Sequence, residues 1–440
     1  MVQMRKIFAL LPALVLCMLA ILAGCARKTE EPQQPTIPYE TISGTTGATM
    51  PNQLTAEDIE LPSGGWYNPD AGVTQTGAFG EGGYFSEYRS VLMFTDLSNG
   101  TNVVLCSKPG CLHYDEPIQK AAECDAYIGV MNCIHYQDGK IYYVASNLSS
   151  EDGSLWLMSR NADGTGEKKI GRLASEYISS NASVSATQFV FAGDMLYYRA
   201  DVKKLIQNES GTLAETGTRL LMRMELSSGK EELLEEYSNE APHLQGARED
   251  MLLYYTIRIY TKEELKSDPS LNQERPTKLK VWIESADQSI TLFTYKHTEY
   301  QGDGYIADGK YYYPLHKEND EGAVAEMIHC YVFDLATQQS EDTGLQSAPI
   351  LNNRYAVYFD DNMRYQYFFD TATENRLEME YTDVRLAVLT RGPDGAILKI
   401  MQHSENAEGG VDVSSDCYYV PYAAFEDGLQ KTDGILMTLM

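Results

Sequence analysis

The 440-residue chain is 43% hydrophobic and 22% charged, a globular composition too apolar for a disordered polymer. Its 35 Lys and Arg against 63 Asp and Glu leave a net charge of −28, which offers no basic footprint for DNA or RNA. Eight cysteines in this length exclude a disulfide-stapled miniprotein, and the chain can bury a large core.

Arg5 and Lys6 precede an apolar run from Ile7 to Ala23, the charge-then-apolar order of a secretion signal. The run is at the short edge of what could span a bilayer. It ends in Leu22-Ala23-Gly24-Cys25, which resembles the lipobox of bacterial lipoproteins. That resemblance implies cleavage before Cys25 and a diacylglycerol on its thiol, so residues 1–24 read as a lipoprotein signal peptide. The competing reading is an ordinary signal or short anchor that happens to end in Cys. Two or three acyl chains anchor stably. The address is then the extracytoplasmic face of a bacterial cell membrane, with the protein held there by lipid. Residues 25–62 are dominated by Pro, Thr, Gln and Glu without apolar periodicity, and they read as a flexible tether.

A repeat fills residues 63–440. Its first half is a turn and a Tyr-rich strand: Asp138-Gly139-Lys140-Ile141-Tyr142-Tyr143, then Gly193-Asp194-Met195-Leu196-Tyr197-Tyr198. It returns at Asp250-Met251-Leu252-Leu253-Tyr254-Tyr255 and Asp308-Gly309-Lys310-Tyr311-Tyr312-Tyr313, and more loosely at Asn352–Tyr358 and Asp394–Ile400. The second half is an apolar strand and a tight polar turn, as in Trp156–Gly164, Met222–Lys230, Tyr331–Thr337 and Tyr367–Thr373. Asp-Gly, Asn-Gly and Ser-Gly between alternating apolar residues are hairpin signals. Each period holds about four short strands, the size of a propeller blade. The expected fold is an all-β β-propeller of about seven four-stranded blades, with six or eight also compatible, against the competing β-sandwich array. The segment Thr261–Ser270 reads as a short helix or loop on one face of the disc.

The Asp-Gly-Lys-Ile-Tyr-Tyr strand and the Asn161–Gly166 turn after Leu155–Met158 resemble the propeller repeats of the TolB and DUF5050 type in bacterial secreted proteins. The resemblance covers most of residues 80–380. It implies an architecture, and propellers of many functions share that architecture.

The most specific local pattern is Cys106-Ser-Lys-Pro-Gly-Cys111-Leu-His113, followed by Cys124 and then Cys133. Cys106, Cys111, His113 and Cys124 form the donor set of a closed structural zinc site. A similar knuckle recurs in lipoproteins that resemble this one. Disulfides, such as Cys106–Cys111 with Cys124–Cys133, are the alternative outside the cytoplasm. Cys330 and Cys417 read as buried small hydrophobes or a pair across the last blades. The remaining histidines, His135, His243, His297, His316, His329 and His403, are scattered without ligand spacing, and no catalytic motif is present. Asp360-Asp361-Asn362 reads as a polar turn before it reads as a calcium site. The Tyr pairs read as core and strand-face residues, one buried and the next exposed where the strand alternates.

The expected function is a non-catalytic binding or scaffolding module at the cell surface, its partner a protein or a glycan. The alternative is a polysaccharide lyase or hydrolase with its site in the propeller channel. No catalytic residue can be named, and no cofactor beyond the zinc is implied.

Overall fold

The six copies of the Tyr-strand motif fall in six of seven antiparallel sheets, at Lys140–Ser146, Met195–Gln207, Met251–Arg258, Lys310–Glu318, Tyr355–Phe359 and Gly395–Glu405. The computed structural model describes residues 55–440, apart from 57–58, 60, 63–76, 114–122, 147–153, 180–181, 208–212, 249, 274, 296–298, 319–323, 360–365, 378, 380–383, 406–410, 427, 430–433 and 438–440. The first sheet is β1 (Gly77–Gly80), β2 (Gly83–Tyr88), β3 (Val91–Asp96) and β4 (Asn102–Val104). The second is β5 (Val130–Gln137), β6 (Lys140–Ser146), β7 (Leu155–Asn161) and β8 (Lys168–Arg172). The third is β9 (Ala182–Ala192), β10 (Met195–Gln207), β11 (Leu213–Glu225) and β12 (Glu231–Tyr237). The fourth is β13 (Glu240–Arg248), β14 (Met251–Arg258), β15 (Thr277–Ile283) and β16 (Gln288–Tyr295).

In the fifth sheet β17 (Glu299–Gln301) and β18 (Tyr305–Ala307) both pair with β19 (Lys310–Glu318), a first strand broken at Gly302-Asp303. β20 (Val324–Asp334) and β21 (Gln339–Leu345) complete it. The sixth has three strands, β22 (Tyr355–Phe359), β23 (Gln366–Asp370) and β24 (Asn375–Arg376), preceded by the Leu351–Tyr355 bridge. The seventh is β25 (Val384–Arg391), β26 (Gly395–Glu405), β27 (Val411–Pro421) and β28 (Ile435–Met437). These are the blades of a seven-bladed β-propeller, as the repeat predicts.

Sheets one and seven meet through Tyr84, Ile397 and Met437, and the rings of Phe79 and Tyr419 lie 6.1 Å apart across that seam. Gly100, with φ of 75°, sits there because a Cβ would come within 2.5 Å of the Leu436 carbonyl oxygen. The Thr261–Ser270 segment is a helix, α1 (Lys262–Ser267), started by a Thr261–Glu264 capping box.

Alternation along the second strands predicts one buried and one exposed Tyr; Tyr142 and Tyr312 are half-buried beside buried Tyr143, Tyr311 and Tyr313, but the third and fourth blades depart from it. Tyr197, Tyr198 and Tyr254 are 0% exposed and Tyr255 is 3% exposed. Each blade is covered on both faces by its neighbours, so both faces of its second strand must be filled. The hydroxyls then need partners. Tyr254 donates to Glu235 Oε2 at 2.6 Å, and Tyr198 donates to Glu231. Lys280 Nζ lies 3.0 Å from Glu235. Burial alone would raise the Glu235 carboxyl, but Lys280 and the surrounding hydroxyls hold it below its ordinary value.

Ala56, Ile59 and Leu61, from the stretch read as tether, pack against the core shared by the fourth and fifth blades. Gln338 Nε2, in the turn between β20 and β21, donates to the Ile59 carbonyl at 3.3 Å and also to that of Ala56. These residues form a strap across the disc's edge.

The polar turns after the third strands are capped by their leading acids: Asp96 accepts from Ser98 N at 2.8 Å, and Asp334 from Thr337 N at 2.8 Å. Asp370 caps Ala372 N and is also forked by Arg354, with Nε–Oδ1 and Nη2–Oδ2 both 2.8 Å. The Arg354 fork holds the Asp370 carboxyl at about 2, below its ordinary 3.8. A depressed acid stabilises the fold above about pH 4 and loses that contribution as pH falls through about 2. Asp370→Asn should therefore flatten the stability-versus-pH curve between about pH 4 and 2. It should also cost roughly 1 kcal/mol at pH 7, because Arg354 is partly exposed. Urea unfolding across that pH range checks both.

Candidate functional site

The structure brings Cys106, Cys111, His113 and Cys124 together, their ligand atoms all within 4.8 Å of one another. Cys106 directly follows β4, and Lys108-Pro109-Gly110-Cys111 turns back on itself, with Gly110 in the left-handed region at φ 73°. His113 Nδ1 lies 3.5 Å from Cys124 Sγ. A tetrahedral zinc with its usual bond lengths separates sulfur and nitrogen ligands by about 3.5–3.8 Å, so the donor set fits the ion in type and number, and the His113–Cys124 pair in spacing. All six described cysteines are free thiols. Cys133 is buried in a different apolar cluster from Cys124, and Cys330 and Cys417 sit in the fifth and seventh blades. Burial pushes the Cys124 thiol up to about 12, while backbone amides of Lys108 and Asp125 outweigh burial and lower that of Cys106.

The knuckle covers a weak point of the first blade. The β2–β3 turn is Arg89-Ser90, two non-glycine residues with φ of 48° and 68°, a conformation that costs on the order of 1–3 kcal/mol per residue. The chain after Cys124 lies over it: Ile128 N donates to Ser90 O at 2.9 Å and Leu92 N to Ala126 O at 2.8 Å. Val91, Met93, Cys124 and Ala126 make a small core there, with Tyr88, Cys106 and Cys111 against it. From the second blade, Arg160 (4% exposed) donates to the carbonyls of Asp125 and of Tyr127, the latter at 2.8 Å, and also pairs with Glu167 and Tyr143. Arg160 carries no sequence signal of this role. A cavity of about 120 Å³ lies beside it, walled by Tyr127, Tyr143, Trp156 and Met158.

The first strands carry a second set of residues that sequence reasoning missed. β9 bulges at Gln188 (φ 55°) and β13 at Gln245. A bulge re-aims its side chain, and both amides cross to the next blade. Gln188 Nε2 meets His243 Nδ1 at 3.0 Å and its Oε1 accepts from Leu244 N at 3.2 Å. Gln245 Oε1 accepts from Gly304 N and Tyr311. A signal existed: Asn132, Gln188 and Gln245 recur at nearly the step of the Tyr pairs, within one residue, and β5 bulges at Asn132. His135 stacks on Phe191 at 4.7 Å and His243 on Tyr255 at 4.8 Å, and burial lowers both imidazoles to about 4. They stay neutral at pH 7. Burial also raises Asp303 and lowers His316 in the fifth blade. Among the described residues, the Cys–His knuckle is the set that gathers three or more metal-type donors. Cys25, Asp360-Asp361-Asn362 and His297 lie outside the described residues.

The two ends of the disc differ. Turns between first and second strands are as short as Asp138-Gly139, Gly193-Asp194 and Asp308-Gly309, and turns between third and fourth strands share that end. Connections between second and third strands lie at the opposite end. Apart from Arg89-Ser90, they are 147–154, 208–212, 259–276, 319–323, 360–365 and 406–410; 259–276 carries α1, and several of the others close hairpins that extend beyond the blade body. At the short-turn end the exception in length is the 422–434 connection of the seventh blade. The knuckle, which links a fourth strand to the next first strand, is at this insertion end too. The strap sits at the short-turn end, on Gln338.

No protein-family model matches the sequence, and no curated protein matches it. Solved structures give distant likenesses. An oligogalacturonate lyase in complex with manganese is 11% identical over 76% of this chain and 84% of its own, with a TM-score of 0.41. An oligogalacturonate lyase from Vibrio parahaemolyticus is 12% identical, covering 81% and 91%, at 0.44. A puromycin-hydrolyzing peptidase of Mycobacterium tuberculosis is 12% identical, at 0.45, over 87% of this chain and 57% of its own. Nothing about activity follows from identities this low.

Proposed function

We propose that this chain is a lipid-anchored, extracytoplasmic binding propeller that presents its insertion end to a protein or glycan at the cell surface. The observation that carries the reading is the polarity of the disc. The extended β10–β11 and β26–β27 hairpins and the 259–276 insertion lie at one end, while the strap of residues 56–61 is fastened at the other. Binding surfaces on rigid scaffolds are built from such connections.

The knuckle serves this scaffold as a closed structural zinc centre held by Cys106, Cys111, His113 and Cys124. Support comes from the donor set and its spacing. Four protein ligands fill a tetrahedral ion, so the metal's contribution is folding energy. Crowded thiolates repel one another, and a divalent cation removes that repulsion. The consequence is a fixed path for residues 124–128 over the strained Arg89-Ser90 turn.

Elemental analysis of the full chain is expected to give one zinc per molecule. Chelation, or Cys106→Ser or Cys111→Ser, removes it and lowers Tm by about 5 °C. Blocked thiols and no metal would instead make the knuckle a disulfide staple. Cys25→Ser moves the protein from the membrane fraction to the soluble one. Trimming the β26–β27 hairpin to a two-residue turn should weaken retention on the cell-surface partner at least tenfold. Turnover of a polysaccharide by the intact chain would replace the binding reading with the enzymatic one.

A further inference from the structure

The third blade carries a local excess of positive charge near the insertion end, in a chain whose net charge is −28. Arg199 and Asp201 share one face of β10, two residues apart, and Asp201 stands directly across from Arg219 on β11. Arg199 forks Asp201 with Nε–Oδ1 at 2.9 Å and Nη2–Oδ2 at 2.8 Å, and its Nη1 reaches the Pro242 carbonyl of the fourth blade at 3.5 Å. Arg219 Nε is 4.0 Å from the same carboxylate, and although buried it makes no hydrogen bond. One carboxylate thus serves two guanidinium groups, and one positive charge is left over. The side chains of Arg199, Arg219 and Asp201 are 15%, 22% and 24% exposed, sheltered yet reachable.

His243 completes the arrangement from β13. The Leu244 amide holds Gln188 Oε1, so the other end of that amide donates to His243 Nδ1. The ring proton is then on Nε2, and the neutral imidazole is a donor from that edge. Burial and the neighbouring Arg199 keep the ring uncharged, while burial lowers Arg219 below its ordinary value against the pull of Asp201. A second anion would satisfy Arg219 as Asp201 does not. The guanidinium fork matches a carboxylate in shape as well as charge.

We propose that Arg219, with Arg199 and His243 beside it, is a carboxylate-binding subsite between the third and fourth blades. The inference rests on the reading that the insertion end is the binding face, and it names the chemistry that end selects. In so acidic a chain, general electrostatic attraction of anions is absent, so a carboxylate must be taken by local fit.

The test uses the full chain and two matched probe pairs in saturation-transfer NMR and calorimetry: D-glucuronate against D-glucose, and N-acetyl-dialanine against its C-terminal amide. At least one acid should bind fivefold or more tightly than its neutral partner, and Arg219→Gln should abolish that preference. The arm that responds tells whether an acidic sugar or a peptide terminus is the source. No preference in either arm, or a preference that survives Arg219→Gln, overturns the proposal. Should Arg219→Gln lower Tm by several degrees, Arg219→Lys decides: a reduced preference supports the fork, and an unchanged one overturns it. If hairpin trimming abolishes partner binding while these probes show nothing, the subsite fails and the binding face stands.

Discussion

Tyr197 and Tyr198 point to opposite faces of one strand, and both are fully buried. In a propeller every blade lies against two others, so a strand near the middle of its sheet has no solvent side. Aromatic residues fill that space and bury large areas, but each Tyr brings a hydroxyl that costs energy unless it is paired. The pairing recruits charge into the interior. Glu231 meets Tyr198, Glu235 meets Tyr254, and Arg160 meets Tyr143. A buried carboxylate then needs its own cation, which is why Lys280 lies against Glu235. Replacing one member leaves the rest of such a network buried and unsatisfied, so the network fixes which blade packs on which.

The knuckle follows from the same economy of packing. Six blades extend their second-to-third-strand connections, whereas the first closes with Arg89-Ser90 in a conformation that neither residue favours. A short strained turn holds only when its surroundings over-determine it. Here those surroundings are the 124–128 segment, hydrogen-bonded to Ser90 and Leu92 on one side and to Arg160 on the other. Arg160 belongs to the second blade, so the knuckle ties blade to blade as well as covering a turn. Cys124 is therefore better placed for its neighbours Cys106, Cys111 and His113 than for Cys133, which serves the core on the far side of β5.

The architecture was legible because its strongest signals are local. Turns such as Asp138-Gly139 and Asp308-Gly309, each followed by Tyr pairs, mark the start of second strands, and the structure puts them there. The Thr261 insertion is helical for a reason visible in sequence, its Glu264 three residues on. The four knuckle donors were readable from type and spacing. The first strands were not: β5, β9 and β13 carry a mixed run of His, Gln and apolar residues whose alternation is broken by bulges. Their logic is between blades, as Gln188 shows by bonding to Leu244 and His243 fifty-odd residues away. Arg160 was invisible for the same reason, since its partners are backbone carbonyls of another segment. The Ala56–Leu61 contacts were hidden inside a composition that reads as tether, three apolar residues in a polar stretch.

That strap bears on why the two ends of the disc differ. At the short-turn end, two-residue turns and acid-capped turns leave most strands little freedom in length, because each added residue shifts register or breaks a cap; the seventh blade, with its 422–434 connection, is the exception. Gln338 in one of those turns also receives the strap, so an insertion there would meet chain already in place. The opposite end has neither restriction, and a hairpin such as β10–β11 can lengthen by whole pairs without disturbing the blade beneath it. Arg199, Asp201 and Arg219 stand on the lower part of that hairpin, next to His243 of the following blade, so lengthening at the tip leaves them in place. The sheet below that end holds these charged side chains at defined separations, because the register that pairs Asp201 with Arg219 is fixed by the same packing that buries the strand beneath them.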